Sequence, residues 1–285
     1  MSLVTMKEIL DTAKEKNYAV GAFDTMDTIT TEAILQAAEE KRTPVILMVV
    51  PPSVSGENAV FMNYLTERCR KSSVPVALHL DHAPTFEDCM RGISCGCTSV
   101  MFDGSSLPFE ENVAITKKVI EVAHACGVTV EAEIGHVAGH EGNMLDGNVA
   151  DPSCYTTVEE AVKFYEETNV DCLAVAIGTV HGVYKGTPHI DYERLDEIKE
   201  KLPIPIVLHG GSGLTDEDYK KLVEHGINKI NFFTAMSLAG AEAVKKFVQE
   251  TPKFQGTDVV EVLGKAEKEV VSHHIEVFGT LPFSC

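Results

Sequence analysis

The chain has 285 residues, of which 44% are hydrophobic and 24% are charged, a composition that disfavours disorder, collagen and coiled coil. Its 24 Lys and Arg residues against 43 Asp and Glu residues give a net charge of −19, which disfavours nucleic acid and anionic membrane surfaces as partners. The longest apolar run, residues 45–50, is far below the roughly 20 residues of a membrane span.

Short apolar runs recur along the chain, and segments of helical composition lie between them. The runs are apolar almost throughout, which is typical of strands covered on both faces in a parallel sheet. Eight strand–helix repeats over about 250 residues predict a (β/α)8 TIM barrel, as a single domain over residues 1–285. An open doubly wound sheet is the alternative, but no GxGxxG turn follows the first run. The predicted strands are 18–24, 44–50, 75–81, 98–103, 128–134, 172–178, 204–210 and 227–233, and the clearest helices are 30–41, 109–126, 157–168 and 216–226.

Two segments depart from the simple repeat. Residues 135–156 are rich in glycine and show no helical period, so we expect a mobile loop at about 136–156. After the eighth strand, residues 236–278 predict two more helices, within a C-terminal extension of about 236–285.

Polar side chains stand at the carboxyl ends of seven of the eight predicted strands, where barrels place their active sites. Three of these are histidines from separate strands, an arrangement typical of a divalent metal site, most often zinc. Taken singly, a histidine near an apolar strand is more often a hydrogen-bonded core or rim residue than a ligand, and the shared position at strand ends sets these three apart. His79, two residues before Asp81 inside its strand, is interpreted as such a core residue. The strand-end residues are Asp24, Asp81 with His82, Asp103, Glu133, His181, His209 and Asn231.

Two adjacent strand-to-helix turns predict an anion site. Residues 208–219 comprise a strand end, a glycine-rich turn and the start of a helix that Thr215 opens. Residues 231–241 run from a strand into a helix with Thr234 as its N-cap. Backbone N–H groups at such turns bind phosphate, and barrels commonly place a phosphate site there. The alternative is that the glycines merely allow a tight turn; they are Gly210, Gly211 and Gly213.

Five segments resemble the class II, metal-dependent ketose-bisphosphate aldolases, whose main members are fructose- and tagatose-bisphosphate aldolases. The resemblance covers nearly the whole chain, in order. The segments are VALHLDHA (76–83), VEAEIGHVAGHE (130–141), AIGTVHGVYKG (176–186), VLHGGSG (207–213) and NFFT (231–234).

The resemblance implies a role for each matching residue. It makes His82, His181 and His209 the ligands of Zn2+, with Co2+ or Fe2+ as alternatives. Asp81 matches the catalytic acid/base, and the loop residue Glu141 matches a glutamate that transfers protons at the ketose carbons. Asp103 and Glu133 match carboxylates that hold the metal in a second position. The binders of the dihydroxyacetone phosphate half would be Gly182, Gly211, Ser212, Asn231 and Thr234, with Gly210 in the same turn.

Lys185 is better placed as a phosphate contact than as a Schiff-base nucleophile, because such a lysine is expected on a strand inside the barrel. Of the predicted strands, only the last has a central lysine, Lys229. The resemblance also implies a monovalent cation, Na+ or K+, near the carbonyls of Val180 and Gly182. The expected partners are a phosphorylated ketose substrate and identical subunits in a homodimer or homotetramer.

Several positions depart from the family pattern and leave the far half of the substrate open. Ala235 stands where an acid is usual, and no arginine follows Arg194 to meet a second phosphate, for which Lys265 could substitute. Two alternatives follow: an aldolase that joins dihydroxyacetone phosphate to another aldehyde, and a non-catalytic sugar-phosphate-binding relative. The other departures are Asp24, His136, Ala138, Phe232 and Phe233.

We expect a cytoplasmic protein with reduced thiols. The N-terminus shows no basic segment followed by an apolar stretch, the signature of a secretory signal. The eight cysteines are irregularly spaced and form no CxxC pair.

Overall fold

A computed structural model describes residues 2–139, 150–182, 184, 186 and 188–283. Eight parallel strands close into a barrel in chain order, because the first strand pairs with both the second and the eighth. The predicted TIM barrel is confirmed, and each predicted strand is present with shorter or slightly shifted ends. The strands are β1 (Val20–Asp24), β2 (Val45–Val49), β3 (Val76–Ala83), β4 (Ser99–Phe102), β5 (Thr129–Ile134), β6 (Cys172–Val175), β7 (Ile206–Leu208) and β8 (Ile227–Phe232).

Ten α-helices accompany the strands in the described part of the chain, and the four helices assigned from the sequence are among them. Two helices follow β8, in agreement with the expected C-terminal extension. The helices are α1 (Met6–Lys16), α2 (Thr28–Lys41), α3 (Ala59–Arg70), α4 (Phe86–Ser94), α5 (Phe109–Ala125), α6 (Val158–Thr168), α7 (Tyr192–Lys201), α8 (Asp216–Glu224), α9 (Thr234–Glu250) and α10 (Gly256–Val277), with short 3-10 turns at Pro51–Val54, Gly56–Asn58 and Pro152–Cys154.

Local sequence explains where the helices begin. Thr157 caps α6 and Thr215 caps α8, and each forms a reciprocal capping box with an acid three residues later. The expected N-cap at Thr234 is wrong. Phe233 is the N-cap of α9, and Thr234 is its first helical residue. The helix thus begins one residue earlier than predicted, directly after Phe233, whose amide donates to Ser212 Oγ at 3.2 Å.

Helix α1 closes the amino-terminal end of the barrel. Its Met6 and Leu10 are fully buried in one cluster with inward-facing side chains of β1 and β2. At the same end, the Lys7 amide donates to Thr129 Oγ1, at the start of β5. The barrel therefore has an apolar floor at this end.

The interior changes from apolar to charged along the strands. Alternate residues of a strand point the same way, so on β3 the series runs from Ala77 through His79 to Asp81, all buried. On β5 Glu131 and Glu133 occupy successive buried positions of the same kind. The charged groups thus collect at the carboxyl end, above the floor.

Helix α10 packs against α2 and α9 on the outside of the barrel. A Cβ atom on Gly240 of α9 would lie 2.6 Å from Leu263 of α10, so glycine allows the two helices to approach closely. None of the described helices is long and apolar enough to cross a membrane.

Candidate metal centre and active site

The three histidines predicted as metal ligands converge at the carboxyl end of the barrel. His82 lies near the end of β3, His181 follows β6, and His209 follows β7. Each offers one ring nitrogen, and these nitrogens all lie within 4.8 Å of one another. The φ angle of His82 is +46°, and the residue lies where the register between β3 and β4 shifts, a local distortion of the kind that re-aims a side chain next to an active site.

Carboxylates orient two of the three rings. The Nδ1 atom of His82 lies 2.8 Å from Asp103 Oδ2, and its Nε2 atom is buried without a hydrogen-bond partner among the described residues. The Nε2 atom of His209 is hydrogen-bonded to Glu131 Oε1 at 2.8 Å, whereas its Nδ1 atom, 3.0 Å from Glu133 Oε2, has no hydrogen-bond partner among the described residues. Rings held in this way through one nitrogen present the other to a metal.

The electrostatics of the three rings fit a cation at their centre. Burial disfavours the charged form of each ring, but Asp81 outweighs it and raises the pKa of His82 to about 9. The carboxylate of Glu131, hydrogen-bonded to Nε2, and the nearby carboxylate of Glu133 likewise overcome burial and raise the pKa of His209 to about 10. Burial, together with His82 and His209, holds the pKa of His181 well below its usual value. A site that favours positive charge, lined by imidazoles, suits a divalent metal such as zinc.

Asp103 and Glu133 join His82 in a second group that could hold a metal. Asp103 also accepts hydrogen bonds from the amide and hydroxyl of Ser105, and burial alone would raise the pKa of its carboxyl. His82 and Ser105 reverse that effect, so the pKa of Asp103 lies well below its usual value. The two carboxylates therefore lie where the sequence predicted them, beside the histidines.

Asp81 directly precedes His82 in the chain, and it is 1% exposed. Its Oδ2 atom lies 3.7 Å from His82 Nε2, and the Asn231 amide donates to both of its oxygens. Burial would raise the pKa of Asp81, but His82 and His79 lower it well below its usual value. Asp81 lines a cavity of about 420 Å³, and the wall of this cavity also includes His82, Asp103, Glu133 and His181.

The predicted anion turn follows β7 and packs tightly against its neighbours. Gly210 has a φ angle of +66°, and a Cβ atom there would lie 2.4 Å from the Val180 carbonyl oxygen. The hydroxyl of Tyr184 donates to the Gly210 carbonyl at 2.7 Å, and that of Tyr219 donates to the Gly211 carbonyl at 2.5 Å. Two tyrosine hydroxyls thus hold carbonyl groups of the turn, and neither tyrosine was predicted from the sequence as a site residue.

The model of the family described as "Fructose-bisphosphate aldolase class-II" matches residues 4–281. The chain belongs to this family. It is 44% identical over 288 residues to the "Probable fructose-bisphosphate aldolase" of Bacillus subtilis strain 168, covering 98% of this chain and 99% of that protein. It is 42% identical over 292 residues to the fructose-bisphosphate aldolase of Staphylococcus aureus strain Mu50, covering 98% of each. The crystal structure of the YdjI aldolase from Escherichia coli K12 covers 98% of both chains, with a TM-score of 0.86 and 32% identity.

Membership of the class II aldolase family confirms the resemblance. Two buried residues near the histidines, Glu131 and Lys229, had no role assigned from the sequence. Lys229 Nζ lies 2.8 Å from Glu131 Oε2, and both side chains are fully buried below the histidines. His79 is a buried core residue, as expected, with its Nδ1 atom 2.9 Å from Ser99 Oγ. Charged or polar residues at every second position of two strands were the signal: Glu131 with Glu133 on β5, and Lys229 with Asn231 on β8.

Two departures from the aldolase pattern prove to concern packing. Phe232 is 1% exposed and packs with His274, at 4.0 Å between ring centroids, and with Phe278 of the C-terminal helical region. Phe233 also packs against the outer core. Phe232 therefore packs on the C-terminal helical side and not in the wall of the cavity that Asp81 lines.

Some predicted site residues lie outside the described part of the chain. These are Glu141, within residues 140–149 of the predicted mobile loop, and Lys185. The first residues of the loop are described, and Ala138 accepts a hydrogen bond from the His181 amide at 2.9 Å. Gly182, next to His181, has a φ angle of +77° that favours glycine.

Proposed function

We propose that this protein catalyses the reversible cleavage of a ketose 1,6-bisphosphate, fructose or tagatose 1,6-bisphosphate, into dihydroxyacetone phosphate and glyceraldehyde 3-phosphate. One observation carries the proposal: a buried Asp81 lies beside three converging histidines in a chain of the class II fructose-bisphosphate aldolase family. The curated relatives named above, both called fructose-bisphosphate aldolases, support fructose 1,6-bisphosphate as the first substrate to test.

His82, His181 and His209 are the proposed metal ligands, with Asp103 and Glu133 serving a second metal position. Zinc suits three imidazoles best, and Co2+ or Fe2+ would suit the same donors. When bound, the divalent ion acts as a Lewis acid that stabilises the negative charge developing on the substrate oxygens. The carbonyls near Val180 and Gly182 are the proposed site of a monovalent cation, Na+ or K+.

Asp81 is the proposed acid/base. In the cleavage direction its carboxylate removes the proton of the hydroxyl on the fourth carbon, which becomes the aldehyde as its bond to the third carbon breaks. The electron pair of that bond stays with the dihydroxyacetone phosphate half. The low pKa of Asp81 keeps the carboxylate ionised at neutral pH, and Asn231 fixes its orientation.

Binding of the phosphate is assigned to the turn after β7 and the start of α9. The protein has a net charge of −19, so an anionic substrate needs local dipoles and a few placed cations. The proposed contacts are Gly182, Lys185, Gly210, Gly211, Ser212 and Thr234.

Glu141 is the proposed proton carrier at the carbon next to the ketone, brought to the substrate by the predicted mobile loop. Its substitution should slow solvent-deuterium exchange into dihydroxyacetone phosphate and leave metal affinity unchanged. Unchanged exchange would remove Glu141 from the mechanism.

A second candidate keeps the metal and dihydroxyacetone phosphate but uses another aldehyde. Ala235 favours it, because an acid usually stands at this position, next to the proposed phosphate contact Thr234.

We also propose a homodimer or homotetramer that works in the cytoplasm. Exposed apolar side chains on the C-terminal helical region support an oligomer: Val248, Phe254 and Val260.

One assay tests the function. Cleavage of fructose and tagatose 1,6-bisphosphates is measured side by side, with and without a chelator, and zinc is then restored. We expect the chelator to abolish cleavage, zinc to restore it, and borohydride to trap no adduct. Cleavage that survives the chelator, with a borohydride-stable lysine adduct, would contradict the metal mechanism. If neither sugar is cleaved, the result would favour the second candidate or a sugar-phosphate-binding protein.

A further inference from the structure

A fully buried ion pair lies beneath the metal centre and takes no part in the proposed reaction. Lys229 Nζ on β8 lies 2.8 Å from Glu131 Oε2 on β5, and both side chains are 0% exposed. Lys229 is the one lysine in the described chain that is buried to this extent. Removing two charges from water costs free energy, which the attraction between them often does not recover. A role other than stability would explain why the pair is present.

The other oxygen of Glu131 contacts a proposed metal ligand. Glu131 Oε1 lies 2.8 Å from His209 Nε2, while Oε2 faces Lys229. Since an ionised carboxylate can only accept, the proton in this hydrogen bond belongs to Nε2. A histidine that binds a metal is neutral and carries one ring proton, so with that proton on Nε2 the nitrogen left for the metal is Nδ1. Nδ1 lies on the side of Glu133, 3.0 Å from its Oε2 atom.

We propose that Glu131 and Lys229 form a positioning pair that fixes the ring orientation and the tautomer of His209, so that Nδ1 binds the metal. Glu131 acts through His209 and touches no substrate. Lys229 holds the second carboxylate oxygen and so prevents the carboxylate from turning. The inference rests on the metal binding contained in the proposed function.

Lys229 has a second consequence within the same pair. Glu131, His79 and Asp81 form another group that could hold a metal. The Lys229 ammonium already supplies a positive charge to that group, at 2.8 Å from Glu131. The pair thereby directs a divalent ion to the three histidines above it.

Two double variants separate positioning from mere stability. Glu131→Gln with Lys229→Met, and Glu131→Leu with Lys229→Met, both remove both charges, so neither leaves a buried charge unpaired. The two variants differ only at position 131. Glutamine keeps an oxygen that can accept a hydrogen bond from His209 Nε2, and leucine does not. Thermal unfolding of the metal-free variants serves as the control for folding.

Zinc affinity is measured by competition with a chromogenic chelator. We expect the Leu/Met variant to bind zinc about 10- to 100-fold more weakly than the Gln/Met variant, the usual effect of losing a partner behind a ligating histidine. Equal affinities in the two folded variants would overturn the inference, because a merely structural pair does not distinguish them. Wild-type protein that binds no zinc would instead contradict the proposed function.

A measurement on the wild-type chain decides the matter if the Leu/Met variant does not fold. Nitrogen-15 NMR of the zinc-loaded protein reports which ring nitrogen of each histidine carries the proton, and His209→Asn identifies the signals of His209. A proton on Nε2 supports the positioning pair. A proton on Nδ1 overturns it.

Discussion

The side-chain amide of Asn231 donates to both carboxylate oxygens of Asp81, at 3.2 and 3.0 Å, although 150 positions separate the two residues in the chain. Asn231 lies on β8 and Asp81 on β3, so the contact spans the interior of the barrel. The family resemblance assigns Asn231 to the substrate alone. Its position gives it a further effect, since it fixes the orientation of the proposed acid/base.

Replacement of Asn231 by alanine should slow cleavage while zinc remains bound. Misplacing a reacting group by about 1 Å can cost on the order of 10²-fold in rate, and we expect a loss of that order in kcat. Steady-state kinetics and zinc content by elemental analysis check this. A variant with normal kcat and a raised KM would limit Asn231 to substrate binding.

Tyr219→Phe should weaken phosphate binding more than it slows the chemistry. The ring of Tyr219 packs with Phe278, at 5.2 Å between centroids, and phenylalanine keeps that packing. Without the hydroxyl the Gly211 carbonyl loses its hydrogen bond, at a cost of about 1 kcal/mol, which corresponds to roughly fivefold in affinity. Titration with dihydroxyacetone phosphate measures the change.

Tyr165→Phe on α6 is the matched control for Tyr219→Phe. We expect the control to bind dihydroxyacetone phosphate as the wild type does. Equal affinity in all three proteins would show that the Tyr219 hydroxyl does not support the turn.

Glu267 makes the stability of the C-terminal region depend on pH. It is 5% exposed on α10, and burial raises the pKa of its carboxyl from 4.5 to about 7 against the opposing effect of Thr30. Between these two values the folded protein keeps a proton that the unfolded chain has lost. The free energy of unfolding therefore falls as the pH rises through this window.

Glu267→Gln should remove this dependence and stabilise the protein by about 1–3 kcal/mol at pH 8, with little effect near pH 4.5. Urea unfolding at the two pH values measures it. Glu269→Gln, an exposed position on the same helix, is the control and should change stability equally little at both. The same gain for Glu267→Gln at both pH values would contradict the assigned pKa.

The barrel and the convergence of its three histidines could be predicted because their signals lie within single strands. Eight runs that are apolar on both faces define a parallel barrel, and a barrel brings its strand ends together. Three histidines at such ends therefore converge, as His82, His181 and His209 do, without any short spacing between them.

Relations between distant strands could not be predicted in the same way. Glu131 and Lys229 are readable as charged residues in apolar strands, but their pairing depends on which strands face each other across the interior. The carbonyl contact of Tyr219 depends on where α8 packs. The hydrogen bond from the Phe233 amide to Ser212, just before α9, likewise joins residues 21 positions apart.

Holding the metal and moving the proton are separate tasks in the proposed mechanism, and Asp81→Ala tests this separation most directly. Zinc content, dihydroxyacetone phosphate binding and cleavage of fructose 1,6-bisphosphate are measured on one preparation of the variant and of the wild type. We expect normal zinc content and binding, with cleavage reduced by roughly 10²–10⁴-fold, the usual effect of losing a general acid/base. Cleavage close to that of the wild type would contradict the role of Asp81 as the acid/base.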